Sequence, residues 1–262
     1  MKKWLFRICA LFLVGFLSSC ATAPKPRPGS PTPSPSSSSR GPIVVSSPAS
    51  TSSVRSTIQH IVGPGETLWR IAKMYDVPMA TILSANSLRE SQGLKMGQKL
   101  RIPRAAEIKP VIALYPSDKW KYIIIHHSAT DEGSSLAFHH SHLAKGWDKG
   151  VGYHFVIDNR SSGKQDGEIE ATPRWIKQLD GAHCKASDMN TKGIGICLVG
   201  NFDSEKVSGR QMSSLVYLVT TLQKHYKIPN KHIMAHGHVD EASTHCPGKK
   251  FPWTEFKSRI TR

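Results

Sequence analysis

A segment near the N-terminus that cannot fold alone divides this chain into separate parts. Residues 20–57 are rich in Pro and Ser and contain no aromatic side chain. Such a composition buries too little apolar surface to offset the loss of chain entropy on folding. We therefore predict that 20–57 is a disordered tether, with a short segment before it and the folded part of the chain after it.

The first twenty residues have the pattern of an export signal. A basic start precedes an apolar run over 8–17, which is too short to span a bilayer. Leu-Ser-Ser-Cys follows at 17–20 and resembles the lipobox of bacterial lipoproteins. The resemblance implies that 1–19 is a signal peptide and that Cys20 is lipidated. It also implies that Ala21 directs the protein to the outer membrane, facing the periplasm, where a cell has one. An ordinary signal peptide with an incidental Cys20 is the alternative.

The charge of the chain restricts its partners. The net charge is +16, from 35 Lys and Arg against 19 Asp and Glu. No segment concentrates this charge into a dense basic stripe, and aromatic residues do not alternate with basic ones, so we expect no nucleic-acid partner. A spread positive charge fits an anionic polymer or an anionic membrane surface.

Residues 58–104 have the pattern of a small module with a strand, two helices and a strand. An alternating apolar start stops at Gly-Pro-Gly, and helical spacing follows. Gly-Pro-Gly-Glu-Thr-Leu-Trp at 63–69 and Leu-Lys-Met-Gly-Gln-Lys-Leu-Arg-Ile-Pro at 94–103 resemble the LysM module. The resemblance implies binding to glycan that contains N-acetylglucosamine, typically peptidoglycan, through a surface at 65–67 and 86–89.

Trp69 has two interpretations within this module. It is a candidate platform for a sugar ring. Its helical spacing with Leu68 and Ile71 instead favours a place in the hydrophobic core. We therefore expect Trp69 to be buried.

Histidine is concentrated in the C-terminal part of the chain. Twelve of the 13 histidines lie between residues 126 and 245. Histidine is the commonest metal ligand and titrates near neutral pH. A β-branched apolar run over 122–125 predicts a buried strand, which ends directly in His126 and His127. The sequence therefore places imidazoles at a strand terminus, where functional sites are common.

The remaining pattern of this part predicts a mixed fold. Further strands are expected at 151–158 and 193–199, and the clearest helix begins at a capping box on Ser208. The predicted class is α/β over 105–262, with a single mixed central sheet flanked by helices.

A catalytic zinc ion takes three protein ligands and leaves one position for water. His126, His238 and Cys246 supply two imidazoles and a thiolate, and the spacing from His238 to Cys246 allows one loop to bring both to an ion. His127 and His236 are adjacent competitors for the histidine positions. A structural zinc site, with a fourth ligand from the chain, is the alternative.

Five segments occur in order along this part of the chain: Ile-Ile-Ile-His-His-Ser-Ala-Thr (123–130), Gly-Tyr-His-Phe-Val-Ile (152–157), Gly-Ala-His (181–183), Gly-Ile-Gly-Ile-Cys-Leu-Val-Gly-Asn-Phe (193–202) and His238 through Thr-His-Cys-Pro-Gly (238–248). Taken together, they resemble the zinc-dependent N-acetylmuramoyl-L-alanine amidases, a family shared by phage lysozyme-like amidases and peptidoglycan recognition proteins. The resemblance implies cleavage of the amide between N-acetylmuramic acid and the L-alanine of the stem peptide by zinc-activated water.

The same resemblance assigns roles to single residues. It places zinc on His126, His238 and Cys246, and makes Tyr153 and Thr244 catalytic groups that stabilise an oxyanion or orient water. Thr244 stands where some members have Lys, which puts a Lys-based proton transfer in doubt. The residues expected to line the substrate groove are His127, His154, His183 and Asn190. The acid for the leaving amine is left open among His127, His154 and His245.

Two other functions remain open at this point. The same fold can act as a receptor that binds peptidoglycan without cutting it, although family members that only bind typically lack the cysteine ligand. A zinc peptidase that cuts within the stem peptide is the second, because pocket shape decides between the two amides. Cys184 and Cys197 are able to pair in an oxidising compartment, but the strand position of Cys197 favours a buried thiol.

Overall fold

The structure, a computed structural model, describes residues 41–46 and 54–261. The predicted signal peptide 1–19, the lipidation site Cys20 and the first part of the predicted tether lie outside the described residues. Within the described residues, no helix is both long and apolar enough to cross a bilayer.

Two small antiparallel pairs of strands form the N-terminal part. Its elements in chain order are β1 (Ile43–Ser46), β2 (Ser56–Ile61), α1 (Leu68–Tyr75), α2 (Met79–Ala85), β3 (Lys99–Ala105) and β4 (Val111–Leu114). β1 pairs with β4, and β2 pairs with β3. The unit from β2 to β3 has the predicted order of strand, two helices and strand.

β1 corrects the prediction of a continuous disordered tether over 20–57. Its four residues lie inside that range and form a ladder with β4, from Ile43 opposite Leu114 to Ser46 opposite Val111. The β-branched residues of β1 have high strand propensity, and a distant strand supplies the partner. The composition of residues 20–57 contains no information about β4, so it did not predict this pairing.

Trp69 also differs from its prediction. Its side chain is 42% exposed, whereas Ile71, Met74 and Tyr75 of the same helix are buried. Residues one turn apart share a face of a helix. Trp69 therefore lies above the exposed Lys73, on the face of α1 that points away from the core of the module.

The C-terminal domain is built around a five-stranded sheet. Its elements in chain order are β5 (Tyr122–His127), α3 (Ser135–Ala144), β6 (Phe155–Asn159), β7 (Asp166–Ala171), α4 (Pro173–Ile176), α5 (Met189–Lys192), β8 (Gly193–Leu198), α6 (Gly209–Tyr226), β9 (Ile233–Ala235) and α7 (Trp253–Ile260). Three 3-10 turns lie at Ala186–Asp188, Asn230–His232 and His236–His238.

The sheet has the strand order β7-β6-β8-β5-β9. β6, β8, β5 and β9 run parallel, and β7 is antiparallel to β6 at one edge. α6, which begins at the predicted Ser208 capping box, packs its apolar side on one face of the sheet with Ile123 and Ile125. Ile124 packs with a different cluster. The predicted α/β class with one mixed sheet is confirmed.

Two basic side chains join the small module to the edge strand β7. Arg70 of α1 donates to the carbonyl oxygen of Ile169 at 2.7 Å and to that of Val111 at 3.2 Å. Lys164, in the loop before β7, donates to the carbonyl oxygen of Ile61 at 3.1 Å. The open edge of the sheet is therefore covered by the module rather than left to pair with another chain.

A buried group of charges lies behind this contact. The Lys164 ammonium is 2.7 Å from Glu170 and 3.2 Å from Glu168, and all three side chains are buried. Burial alone lowers the pKa of Lys164, but the neighbouring carboxylates raise it well above its usual value. Burial and the nearby Glu170 and Glu168 raise the pKa of Asp158, the fourth member, well above its usual value, which favours its neutral form. One ammonium thus lies between two carboxylates, and all three side chains are removed from solvent.

Candidate active site

Three potential metal ligands converge where the parallel strands end. His126 is near the end of β5, His236 directly follows β9, and Cys246 comes from the loop beyond it. One ligand atom from each lies within 4.8 Å of the others. The Cys246 sulfur is 3.7 Å from Nδ1 of His126 and also accepts from the backbone N–H of His127 at 3.4 Å. Two imidazoles and a thiol in this spacing suit one divalent cation such as zinc.

His238, predicted as a ligand, is not part of this cluster. Its side chain is exposed, and its ring faces Trp253 at a centroid distance of 6.0 Å. Ile125 and Ala235 are partners in the parallel ladder, so the next residues, His126 and His236, emerge side by side. The structure therefore favours His236 over His238 as the second histidine of the cluster, and the assignment of zinc to His238 stays a prediction.

His127 is excluded from the cluster for a related reason. Successive side chains of a strand point to opposite faces of the sheet. His126 therefore shares the face of Ile124, and His127 shares the face of Ile125, where its ring lies near Phe202. Nδ1 of His127 accepts from the N–H of Phe202 at 3.2 Å. His127 thus has a structural contact there, and its predicted place in the substrate groove remains untested.

A chain of hydrogen bonds orients the His126 ring. Nε2 of His126 lies 3.1 Å from Nδ1 of His183, and Nε2 of His183 lies 3.2 Å from the carbonyl oxygen of Gly193. Because the carbonyl only accepts, His183 carries its proton on Nε2 and accepts from Nε2–H of His126. Nδ1 of His126 is then left with a free lone pair on the side of Cys246. A hydrogen bond from the ring N–H that does not bind metal is typical of metal-binding histidines, because it fixes the orientation of the ring.

Burial sets the protonation of these groups. Burial, with the nearby imidazoles of His183 and His236, lowers the pKa of His126 well below its usual value, and burial lowers that of His183 to about 3. Both rings are therefore neutral at neutral pH. Burial raises the pKa of the Cys246 thiol to about 12. A buried thiolate needs a nearby positive charge, and a bound cation is one such charge.

Tyr153 lies beside the cluster, half-buried, with its ring centroid 5.3 Å from that of His126. Cys197 and burial raise the pKa of its phenol well above the usual value. Tyr153 is therefore a protonated hydrogen-bond donor at neutral pH. Its position is compatible with the predicted catalytic role.

Thr244 is exposed and lines a cavity of about 270 Å³ with Gly237, Cys246 and other residues of the same loop. Its hydroxyl oxygen accepts from the backbone N–H of Cys246 at 3.1 Å. That contact fixes the oxygen and leaves the hydroxyl proton free to point elsewhere. Thr244 is thus able to donate to an oxygen atom near Cys246, as the sequence predicts.

His154 does not line a groove. It is fully buried, its Nδ1 accepts from the N–H of Gly195 at 2.9 Å, and its Nε2 donates to the carbonyl oxygen of Leu179 at 3.1 Å. Both ring nitrogens are therefore used inside the protein. The prediction that His154 contacts substrate, or acts as the general acid, is wrong.

His183 and Asn190 both make supporting contacts inside the domain, and their place in the substrate groove stays a prediction. The side-chain oxygen of Asn190 accepts from the N–H groups of His183 and Cys184, at 2.7 and 2.8 Å. Asn190 therefore holds the loop that carries His183, and His183 in turn orients His126. Cys184 is a free buried thiol, as is Cys197.

Cys197 is a neighbour of the site that its place in the sequence does not indicate. It is the registered partner of His126 on β8 and of Val156 on β6, so its thiol lies on the same face of the sheet as the cluster. Once the order of the strands is known, the alternation of side chains along 193–198 predicts that Cys197 faces the cluster. Before that order is known, nothing distinguishes Cys197 from any other buried thiol.

The fold and the site together define a class: an α/β domain whose parallel strands end in a three-residue His-His-Cys cluster, with Cys246 also lining a cavity. Residues 116–249 match the N-acetylmuramoyl-L-alanine amidase family, and residues 60–103 match the LysM domain.

Named proteins and solved structures are similar to a large part of the chain. The chain is 29% identical to peptidoglycan-recognition protein SC2 of Drosophila melanogaster, over 59% of this chain and 80% of that protein. It is 31% identical to the endolysin of Enterobacteria phage T3, over 53% of this chain and 88% of the endolysin. Among solved structures, the N-acetylmuramoyl-L-alanine amidase LysC from Clostridium intestinale is 30% identical, with a TM-score of 0.46 over 55% of this chain and 89% of that one.

The chain therefore belongs to the N-acetylmuramoyl-L-alanine amidase family and carries a LysM domain before its catalytic domain. It is a peptidoglycan hydrolase that acts on the amide between N-acetylmuramic acid and L-alanine. The predicted activity and the predicted LysM module are both confirmed.

Proposed function

We propose that this amidase is a zinc enzyme attached to a membrane by a lipid on Cys20. The convergence of His126, His236 and Cys246 carries the zinc part of the proposal. The Leu-Ser-Ser-Cys pattern at 17–20 carries the lipid part. The enzyme then works on peptidoglycan close to the membrane that holds it, which is the outer membrane where the cell has one.

The residues fit a zinc ion by the chemistry of their donor atoms. His126 has a neutral ring with its Nδ1 lone pair directed to the cluster, and His183 fixes this orientation. Cys246 supplies a sulfur ligand once its proton is lost. A zinc ion held by three such ligands supplies a Lewis acid that activates water for attack on an amide carbonyl.

The other side chains act on the substrate. The Tyr153 phenol remains protonated and donates a hydrogen bond to the carbonyl oxygen as negative charge develops there. Thr244 keeps its oxygen on the N–H of Cys246 and donates its proton to a second oxygen in the cavity. His127 and His245, the latter exposed in the same cavity, are the remaining candidates for protonating the leaving amine, because His154 is fully bonded inside the domain.

Removal of metal tests the zinc part. The purified full chain in detergent is incubated with soluble muropeptides, and products are identified by mass spectrometry. We expect a chelator to abolish release of the intact stem peptide with a free L-alanine amine, and added zinc to restore it. Activity that persists in chelator contradicts the zinc proposal. Cleavage within the stem indicates a peptidase, and bound zinc without product indicates a receptor.

Replacement of Cys20 tests the lipid part. In cells grown with labelled palmitate, we expect Cys20→Ala to lose the label and to move from the membrane fraction to the soluble fraction, because one thiol carries the anchor. Cys9→Ala is the matched control, since it removes another cysteine of the N-terminal segment and should keep label and location. Retention of label by Cys20→Ala contradicts lipidation at this residue.

A further inference from the structure

The helix α3 holds the segment that carries Tyr153. Nδ1 of His142, near the end of α3, accepts from the backbone N–H of Gly152 at 3.1 Å, and the His142 ring lies 6.1 Å from the ring of Tyr153. Phe138, one turn earlier on the same helix, meets the Tyr153 ring edge to face at 6.4 Å. These contacts fix the residue directly before Tyr153 and one side of its ring. The position of α3 therefore determines where the phenol lies relative to His126.

The N-terminus of α3 rests on a carboxylate of the edge strand β7. One oxygen of Glu170 accepts from the backbone N–H of Ser135, the first residue of α3, at 2.6 Å. The first N–H groups of a helix have no partner within the helix, and a negative charge there is also favoured by the helix dipole. The other oxygen of Glu170 is 2.7 Å from the Lys164 ammonium. Because Glu170 is buried and held from two sides, a shift of its carboxylate shifts the start of α3.

The LysM module contacts this carboxylate through Gly63. A Cβ atom at Gly63 would lie 2.9 Å from the Glu170 oxygen that faces the ammonium, and 3.2 Å from the Ser135 hydroxyl oxygen. The backbone at Gly63 is itself fixed within the module, since its N–H donates to the buried Glu66 at 2.8 Å. The contact leaves no room for a methyl group. A displacement of the module at this point therefore displaces Glu170.

We propose that the LysM module acts, through Glu170 and α3, as a positioning element for Tyr153. The module then contributes to the hydrolysis step itself, in addition to its contact with the polymer. The proposal rests on the proposed function, in which the Tyr153 phenol donates a hydrogen bond to the developing oxyanion. Such a donor is effective because it is held in place before the reaction. A misplacement of about 1 Å caused by a change far from the chemistry lowers a rate by up to about a hundredfold.

A matched pair of glycine substitutions tests the link to the module. Gly63→Ala adds a methyl group against Glu170, whereas Gly93→Ala adds one in the same module where no other group lies within 4 Å. The full chains are assayed in detergent with saturating soluble muropeptide, so that binding to insoluble polymer does not enter the rate. We expect Gly63→Ala to lower kcat at least about fivefold with KM within about twofold, because an oxyanion donor acts mainly in the transition state. Gly93→Ala should match the parent.

Two substitutions of His142 test the link from α3 to Tyr153. His142→Ala removes the acceptor for the N–H of Gly152, and we expect it to lower kcat at least about tenfold. His142→Asn keeps an acceptor oxygen near the position of Nδ1 and should recover most of that loss. A contribution to stability alone would not change kcat at a temperature at which circular dichroism shows both variants to be folded.

The decisive measurement repeats Gly63→Ala and His142→Ala in a Tyr153→Phe background. Each should lower kcat less than about twofold there, because the hydroxyl that they position is already absent. Losses of the same size with and without that hydroxyl overturn the proposal, as does a kcat of Gly63→Ala equal to that of Gly93→Ala.

Tyr153→Phe alone separates this proposal from the proposed function. If that variant keeps the parent rate, the catalytic role of Tyr153 is wrong, and the positioning role fails with it. If it loses activity while Gly63→Ala does not, only the positioning role fails. Zinc dependence is measured independently with the chelator, so each failure is distinguishable from the others.

Discussion

Replacing His236 by Ala should abolish hydrolysis, and replacing His238 by Ala should leave it within a few-fold of the original rate. His236 offers a nitrogen to the same point as His126 and Cys246, whereas His238 is exposed and faces Trp253. We expect His236→Ala to lower the rate at least about a thousandfold, or about 4 kcal/mol of transition-state stabilisation. The two histidines are separated by one residue, so the pair is its own matched control.

Zinc content and rate are measured on the same preparations. His236→Ala should bind zinc weakly or not at all, while His238→Ala retains one equivalent. If His238→Ala loses zinc and His236→Ala keeps it, His238 is the ligand. Position at the end of a strand then does not determine which histidine binds zinc. A His183→Ala variant should be intermediate, about 10–100-fold weaker for metal, because it removes an orienting bond rather than a ligand.

The second large effect is expected at the junction of the two domains. Lys164→Met should lower the free energy of unfolding by about 3–5 kcal/mol, because it leaves Glu168 and Glu170 charged and buried without their counter-ion. That is a large share of the stability of a typical domain. Asp158→Asn should change stability by less than about 1 kcal/mol, since an amide resembles the neutral carboxyl that burial already favours.

Urea unfolding followed by circular dichroism measures both variants in the Cys20→Ala background, where detergent is not needed. Restoring charge balance provides a further check: Lys164→Met combined with Glu168→Gln and Glu170→Gln should recover part of the loss. If Lys164→Met alone lowers the free energy of unfolding by less than about 1 kcal/mol, water solvates Glu168 and Glu170. That result contradicts the exclusion of water from the contact between the two domains.

The sequence predicted those features that depend on local pattern. The β-branched run at 122–125 is a central strand, the Ser208 capping box starts α6, and the 58–104 segment folds as two strands and two helices. Two of the three cluster residues, His126 and Cys246, were also predicted. Each of these was indicated by a motif or a periodicity within a short stretch.

The features that the sequence did not predict depend on partners distant in the chain. The choice of His236 follows from the alignment of β9 with β5, and the burial of His154 follows from contacts with Gly195 and Leu179. The exposure of Trp69 depends on which side of α1 meets the core, and one helical turn leaves this ambiguous. Lys164, which no motif indicated, becomes important only where the two domains meet.

β1 has a consequence for how far the enzyme operates from its membrane. With a lipid on Cys20, the chain between anchor and folded body is residues 20–42, because Ile43 is already held by β4. A chain of that length spans at most roughly 80 Å when fully extended, at about 3.5 Å per residue. With that anchor, Ile43 would stay within about 80 Å of the membrane, and the catalytic centre would reach no farther than that distance plus the size of the folded body. In a lipid-anchored enzyme, the pairing of four residues with β4 would therefore limit which part of the wall is cut, and lengthening the stretch before Ile43 would move that limit outward.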